Sequence, residues 1–382
     1  MLAAIVLAAG MLPSAAVADP PAAADPAKLR LFYFDQDFGS ESQFNPATVI
    51  LNVGLMAYGT LGQDPRVQDL GTDGALSRLG DAYAHPLESM RGRGSVKDYF
   101  IGEFLFGALP FAPNMYLHLL GEGMVSRKLE EFYLDRGLSP AWSAGLAVTT
   151  MVVAQQLNEL NEQASPLVTC ADRTRACRRL IDGADSLADS SFFNIAGLVL
   201  FRFDWFAGLF SNEYIGFHYW PGQPALDVRT GRIFNQGEVY RLTAPVPWTP
   251  VKVAFLSGAP LVFGLGLVVP VQSGHALTAS WGTTSHWVPV TELNGGRPEL
   301  GDYVPLSTLS TLNLHWDRDG SLMASLLART DFKGYLLNLY PGVLDFGPAA
   351  KIGLYSEWNR DTAFAAGLTW TYLPIVPGVE VW

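Results

Sequence analysis

The sequence predicts an α+β chain: an N-terminal helical unit, then a C-terminal antiparallel β-barrel or β-sheet of about eight to ten strands. Three observations predict it. Apolar residues recur at helical spacing up to about residue 215, and beyond it apolar and polar residues alternate with period two. Turn chemistry separates the alternating runs. Apolar residues make up 49% of the chain and charged residues only 16%, against ~25% in typical soluble domains. A chain this poor in charge needs a large core, a partner or lipid to receive its apolar surface. At 382 residues it has room for two structural units. The formal net charge of -11 argues against a nucleic-acid partner, because phosphate binding needs a basic patch. Oligomeric state is not legible.

The first residues read MLAAIVLAAGMLPSAAVADPP. A short apolar run ends in the small-x-small pattern Ala16-Val17-Ala18, and Asp19-Pro20-Pro21 breaks any helix. The run is too short for a stable membrane anchor, so residues 1–18 read as a signal peptide and 19–28 as a flexible leader. No Lys or Arg precedes the apolar core, which departs from the usual pattern. The alternative is a buried N-terminal helix. Export would place Cys170 and Cys177, in CADRTRAC, in an oxidising compartment, where they are expected to form a disulfide. Zinc is the weaker reading, since two sulfurs do not complete a tetrahedral site and no histidine lies nearby.

The helical unit spans 29–214. Asn45-Pro46 has the form of an N-cap followed by proline at the first helical position. Residues 64–97 are polar and glycine-rich, with turn signals at Asp64-Pro65, Asp73-Gly74 and Arg91-Gly92-Arg93-Gly94. Ser95-Val96-Lys97-Asp98 has capping-box spacing, with Asp where Glu is usual. An amphipathic helix is expected over 125–136 and a longer one over 140–163. The stretches 99–120, 141–154 and 190–210 are apolar enough to raise the question of membrane helices. Each is interrupted by proline or charge, or falls short of ~20 clean residues, so a self-buried or surface-resting helical unit is the expectation.

The β-unit spans 215–382. In 307–316, Leu312, Leu314 and Trp316 share one face and Thr311, Asn313 and His315 the other. Asp317-Arg318-Asp319-Gly320 turns the chain, and the return run 321–329 groups Leu322, Ala324, Leu326 and Ala328. A second hairpin pairs 349–358 (Ile352, Leu354, Trp358) with 362–373 (Phe364, Ala366, Leu368, Trp370, Tyr372). A third turns at 272–275. Further runs lie near 237–244, 251–257, 286–291 and 333–340.

These runs are about ten residues long, enough to cross a bilayer tilted, and longer than the ~5–6 of soluble sheets. One face is large, with aromatics at the strand ends, and the other is small or polar. In this the stretch from about 235 to 382 resembles bacterial outer-membrane β-barrel proteins as a class. The resemblance implies a lipid-facing band with aromatic girdles around a polar lumen, and membrane lipid as partner. Pro374, Pro377 and Gly378 depart from it, because such proteins usually end on an unbroken strand. A soluble barrel or sandwich with a buried apolar face is the alternative.

One set of side chains could carry chemistry. His118 and Glu122 are four apart and share a helix face. Glu159 and Glu162 lie at the polar end of the 140–163 helix, and Asp185 and Asp189 are again four apart. Converging, an imidazole and carboxylates could bind a metal or act as a general base. The competing reading makes His118 a hydrogen-bonded core residue and assigns Asp185 and Asp189 to the dipole of a helix N-terminus. The aromatic segment 212–225 around His218 reads as packing between the units. No nucleophile elbow, phosphate loop, zinc-protease motif or calcium loop is present, and no cofactor is implied. The leading functional expectation is a non-enzymatic outer-membrane or envelope component, with the periplasm as alternative location. The rival is an envelope enzyme acting on lipid or cell wall through His118, Glu122 and Glu159.

Overall fold

The structure, a computed structural model, describes residues 30–56, 75–92, 95–105, 116–164, 184–211, 215–272, 274–289, 303–347, 351–359, 364–371 and 373–381. The expected signal peptide, the leader and the Cys170–Cys177 pair lie outside these residues.

Helices come first in the chain and strands follow. Helix α1 (Pro46–Gly54) starts where Asn45 accepts a hydrogen bond from the Thr48 backbone N–H at 3.0 Å, as the Asn-Pro signal predicts. The glycine-rich 64–97 stretch holds two short helices that its turn signals concealed, α2 (Ala75–Ala84) and α3 (Pro86–Gly92). Ala75, Leu79 and Ala82 of α2 are buried at helical spacing. Helix α4 (Val96–Leu105) is capped by Ser95, whose hydroxyl accepts from the Asp98 N–H at 3.1 Å. A π-helical segment, Tyr116–Glu122, runs into α5 (Gly123–Asp135), and α6 follows (Pro140–Ala164). Then α7 (Ala184–Ala188) passes through a second π-helical segment, Asp189–Phe193, into α8 (Asn194–Leu200), and α9 (Asp204–Phe210) ends the run. Among the described residues no single helix is long and apolar enough to cross a membrane.

Among the described residues that follow, thirteen strands form one sheet, more than the eight to ten expected. They are β1 (Gly216–Pro221), β2 (Ala225–Asp227), β3 (Arg232–Phe234), β4 (Glu238–Pro245), β5 (Lys252–Gly258), β6 (Leu261–Gln272), β7 (His275–Pro289), β8 (Tyr303–Arg318), β9 (Ser321–Arg329), β10 (Gly334–Asp345), β11 (Lys351–Asn359), β12 (Phe364–Trp370) and β13 (Val376–Val381). The order is β1-β4-β5-β6-β7-β8-β9-β10-β11-β12-β13-β2-β3, antiparallel except where β13 meets β2. The three expected strand pairs form, β6 with β7, β8 with β9 and β11 with β12, while residues 273 and 360–363 of two of the expected turns lie outside the described residues. Between β8 and β9, Asp319 and Gly320 both have positive φ (49° and 82°), the two-residue turn that matches strand twist. The run 286–291 is not a separate strand, because β7 continues to Pro289. The proline-broken C-terminal stretch does form a strand, with Pro377 against short β2 at the weakly paired end of the sheet. Leu322 does not join Ala324, Leu326 and Ala328. The pairing slips between Trp316 and Asp317, so one extra β9 residue enters and Leu322 turns to the buried side.

The sheet is strongly curled, although its hydrogen-bonded ladder does not close. Strands β1 and β8 are five spacings apart, roughly 24 Å if flat, yet the rings of Trp220 and His315 lie 5.3 Å apart. Tyr340 of β10 donates to the Pro221 carbonyl of β1 at 2.8 Å. The inner face therefore meets itself. On the outer face, β1, β4 and β5 carry Phe217, Tyr219, Tyr240, Leu242 and Phe255 into the same core as Phe44, which precedes α1, and helical Val125, Leu129, Phe132 and Met151. Helices and sheet thus share a core. Residues 37–41 cross one end of the sheet. There Ser321 bonds the Phe38 carbonyl at 2.9 Å, Leu322 N–H bonds Ser40 at 3.0 Å, and Asp37 pairs with Lys351.

Candidate functional site

His118 and Glu122 sit on the first π-helical segment, where the wider turn still brings residues four apart together. The His118 Nδ1 lies 2.8 Å from Glu122 Oε1. Its Nε2 lies 3.6 Å from the Asp189 carboxylate, which the second π-helical segment supplies. Glycines let the two segments meet. A Cβ on Gly197 of α8 would fall 2.5 Å from the Leu119 carbonyl, and one on Gly123 of α5 would fall 2.9 Å from the Gly197 backbone. From α6, Gln155 donates to the second oxygen of Glu122. Glu159, on the same helix, is close enough for its charge to act on His118 and on Tyr83. The sheet adds Glu238 of β4, which accepts from the Tyr240 hydroxyl at 2.6 Å.

The structure places His118 against Glu122, four residues apart as noted above, and brings the Glu159 charge within electrostatic reach of His118. It corrects the assignment of Asp189 to a helix N-terminus. That residue follows α7 without a break, and its carboxylate serves His118. The side chains of Glu162 and Asp185 lie outside the described residues. Gln155 and Glu238 were not singled out from sequence, since nothing in the local pattern of α6 or β4 marks them.

The cluster is sealed. His118, Glu122, Glu159 and Asp189 are all at or below 4% exposure. One cavity, of about 30 Å³, lies inside the sheet among Trp220, Glu238, His315, Asn338 and Tyr340. A second is lined by Gln43, Thr48, Gln223 and Thr369. Neither is lined by His118, Glu122 or Glu159. Burial by itself would push the His118 imidazole toward neutrality, but Asp189, Glu122 and Glu159 outweigh it and hold its pKa well above 6.5. A protonated imidazole facing carboxylates at both nitrogens has no lone pair to offer a metal or a substrate proton. Among the described residues no group of three or more His, Cys, Asp or Glu is placed to hold a metal ion.

Comparison with protein-family models, curated proteins and solved structures finds no match to this chain. Assignment of the cluster rests on its geometry, and the geometry is that of a buried structural ion network.

Two outcomes follow. Glu122→Gln keeps the shape but removes the nearer counter-charge, and should lower stability by about 1.5–3 kcal/mol, the range for a hydrogen bond to a charged group. The second concerns pH. Because His118 is raised in the folded state, its contribution is fully present below pH 6.5 and is lost as pH rises through the raised value. Urea midpoints should fall on the alkaline side, and His118→Asn should flatten that fall. An equal slope in both proteins would remove His118 as its cause.

Proposed function

We propose that the chain is a non-enzymatic component of a bacterial outer membrane, with the curled sheet inserted in lipid as a barrel-like wall and the helical unit fastened to one side of it. One observation carries the reading: the sheet's two faces are the reverse of a water-soluble barrel. Inside, Thr311, Asn313 and His315 of β8 are each 1% exposed, while outside Leu312 and Leu314 are each 56% exposed. The same inversion holds on β6, β7 and β12, where Leu265, Leu267, Val269, Leu277, Trp281, Phe364 and Leu368 stand outward. Buried Thr278, Ser280 and Thr369 point the other way. Each half-exposed Leu or Val leaves about 1 kcal/mol of transfer energy unrealised in water, which lipid would recover. Outward aromatics stand at both strand ends: Tyr335 with Trp358 at 6.3 Å and Phe364 opposite at one end, Trp316 at the other.

A conducting pore is not part of the proposal. Among the described residues the interior holds Trp220, Arg241, His315, Asp317 and Asn338, and the cavity of about 30 Å³ between Trp220 and His315 is of water size, not channel size. The alternative of an envelope enzyme has His118, Glu122 and Glu159 as its support, and among the described residues these three are buried away from both cavities.

Fractionation tests the reading. The protein should remain with outer membranes through a carbonate wash and require detergent for release. In planar bilayers it should give no steady conductance. Recovery as a soluble periplasmic monomer would overturn the proposal.

A further inference from the structure

The helical unit carries an apolar face of its own that the core does not use. On α8 and α9, which meet at a bend of 95°, Val199 is 51%, Trp205 66% and Leu209 47% exposed; Ile195 and Phe203, beside them, are also open. Of the charged residues at this corner, Arg202 is exposed and Asp204 is 62% exposed, although Asp204 keeps a partner. Asp204 pairs with Arg127 at 2.8 Å, and Arg127 in turn holds Glu131.

Position in the fold says what covers this face. Ser211, just past the end of α9, bridges to Gly216 at the start of β1. Gly216 pairs with Thr243 of β4, and the next β4 residue, Ala244, pairs with Val253 of β5. From Val253 a cross-strand row runs through Leu267, Ala279, Leu314 and Leu326 to Leu337. This row is part of the outward apolar belt. Exposed Leu209 thus lies two residues before the bridge that joins the helical unit to the β1 end of the sheet, where this belt begins. The stretch from Ser186 to Phe210 is also apolar enough for a membrane span once both arms of the bend are counted together.

We infer that the outer face of α8 and α9 contacts membrane lipid, as a bent re-entrant segment whose backbone is shielded by the sheet and α5. The occupant is lipid acyl chain. A second copy of the chain would bury this face and leave the sheet belt it adjoins in lipid, so the surface would have to change partner along one row. Bent helices are tolerated at membrane depth where protein covers their broken backbone bonds, and α8 packs on the Tyr116–Glu122 segment and α5. Trp205, beside Arg202 and Asp204, has the amphipathic character of a residue at the lipid–water boundary.

The inference rests on the membrane reading of the sheet, so its test separates the two. A photo-activatable benzoyl-phenylalanine is introduced singly at Val199, Leu209, Leu267, Leu314 and Val228 of the full chain. All are exposed, so packing is left intact. Each variant is reconstituted in phosphatidylglycerol–phosphatidylcholine vesicles, irradiated and analysed by mass spectrometry. The expected result is a mass increase of one phospholipid at 199 and 209, in yield comparable with 267 and 314, and none at 228. Lipid adducts at 267 and 314 without any at 199 and 209 would overturn the inference and leave the sheet reading standing. A chain-to-chain crosslink at 199 or 209 would overturn it in favour of a second copy. Absence of lipid adducts at all positions would overturn the membrane reading as well.

Discussion

Arg241→Met should destabilise the protein by about 3–5 kcal/mol, because it strands a buried carboxylate. Inside the curled sheet, Arg241 of β4 reaches Asp317 of β8 at 2.6 Å and Thr278 of β7 at 2.9 Å, and its guanidinium lies 4.3 Å from the Trp220 ring. The two charged side chains are 3% and 5% exposed. Removing one leaves the other unpaired where water cannot follow. Asp317→Leu should cost a similar amount. The double substitution, which removes both charges, should recover most of the loss, since a buried ion pair and an apolar pair of similar volume differ little in net energy. Urea unfolding in detergent micelles, followed by tryptophan fluorescence, reads all three. Additive losses in the double variant would mean that the two residues act independently, against the geometry.

Glu131→Ala should produce the other large effect, about 3–5 kcal/mol together with local release of the segment before α1. Glu131 of α5 is 2% exposed. Its carboxylate accepts from the backbone N–H groups of Leu31, Phe32 and Tyr33 at 2.8–3.0 Å, and from Arg127 at 2.9 Å. One side chain thereby satisfies three consecutive backbone donors that no sheet or helix serves. Alanine would leave all three without that acceptor and would take one partner from Arg127, whose pair with Asp204 remains. Glu131→Gln retains one carbonyl oxygen and should fall between the two. Limited proteolysis checks the local part: cleavage near residues 30–36 should accelerate in the alanine variant before global unfolding. A cleavage pattern unchanged from the parent would show that this segment is held elsewhere, for instance through the buried Lys128–Glu41 pair.

Legibility differs between parts of the molecule for a physical reason. The hairpins β6–β7, β8–β9 and β11–β12 were readable because alternation and turn residues are local properties. Strand β1 was not. Its odd positions, Phe217 and Tyr219, are covered by helices, and its even positions, His218 and Trp220, face the filled interior, so GFHYWP shows no polar side. In α2, the helical spacing of Ala75, Leu79 and Ala82 was hidden by neighbouring glycines. The slip that buries Leu322 leaves no trace in composition. At the cluster, His118 and Glu122 were readable from their spacing of four. Asp189, Gln155 and Glu238 reach them from other elements, and no local pattern records such a meeting.

By itself, the sequence determined the order of helices before strands, the two-sided chemistry of the long strands and the local turns that join them. Each follows from side-chain periodicity and backbone preference within a few residues. Only the tertiary structure decided that the polar side of the sheet is the closed one, that Arg241 meets Asp317, and that the histidine–carboxylate cluster is sealed. Periodicity tells which residues share a face. What covers that face depends on curl, which brings β1 against β8 and β10 across distances no local pattern measures.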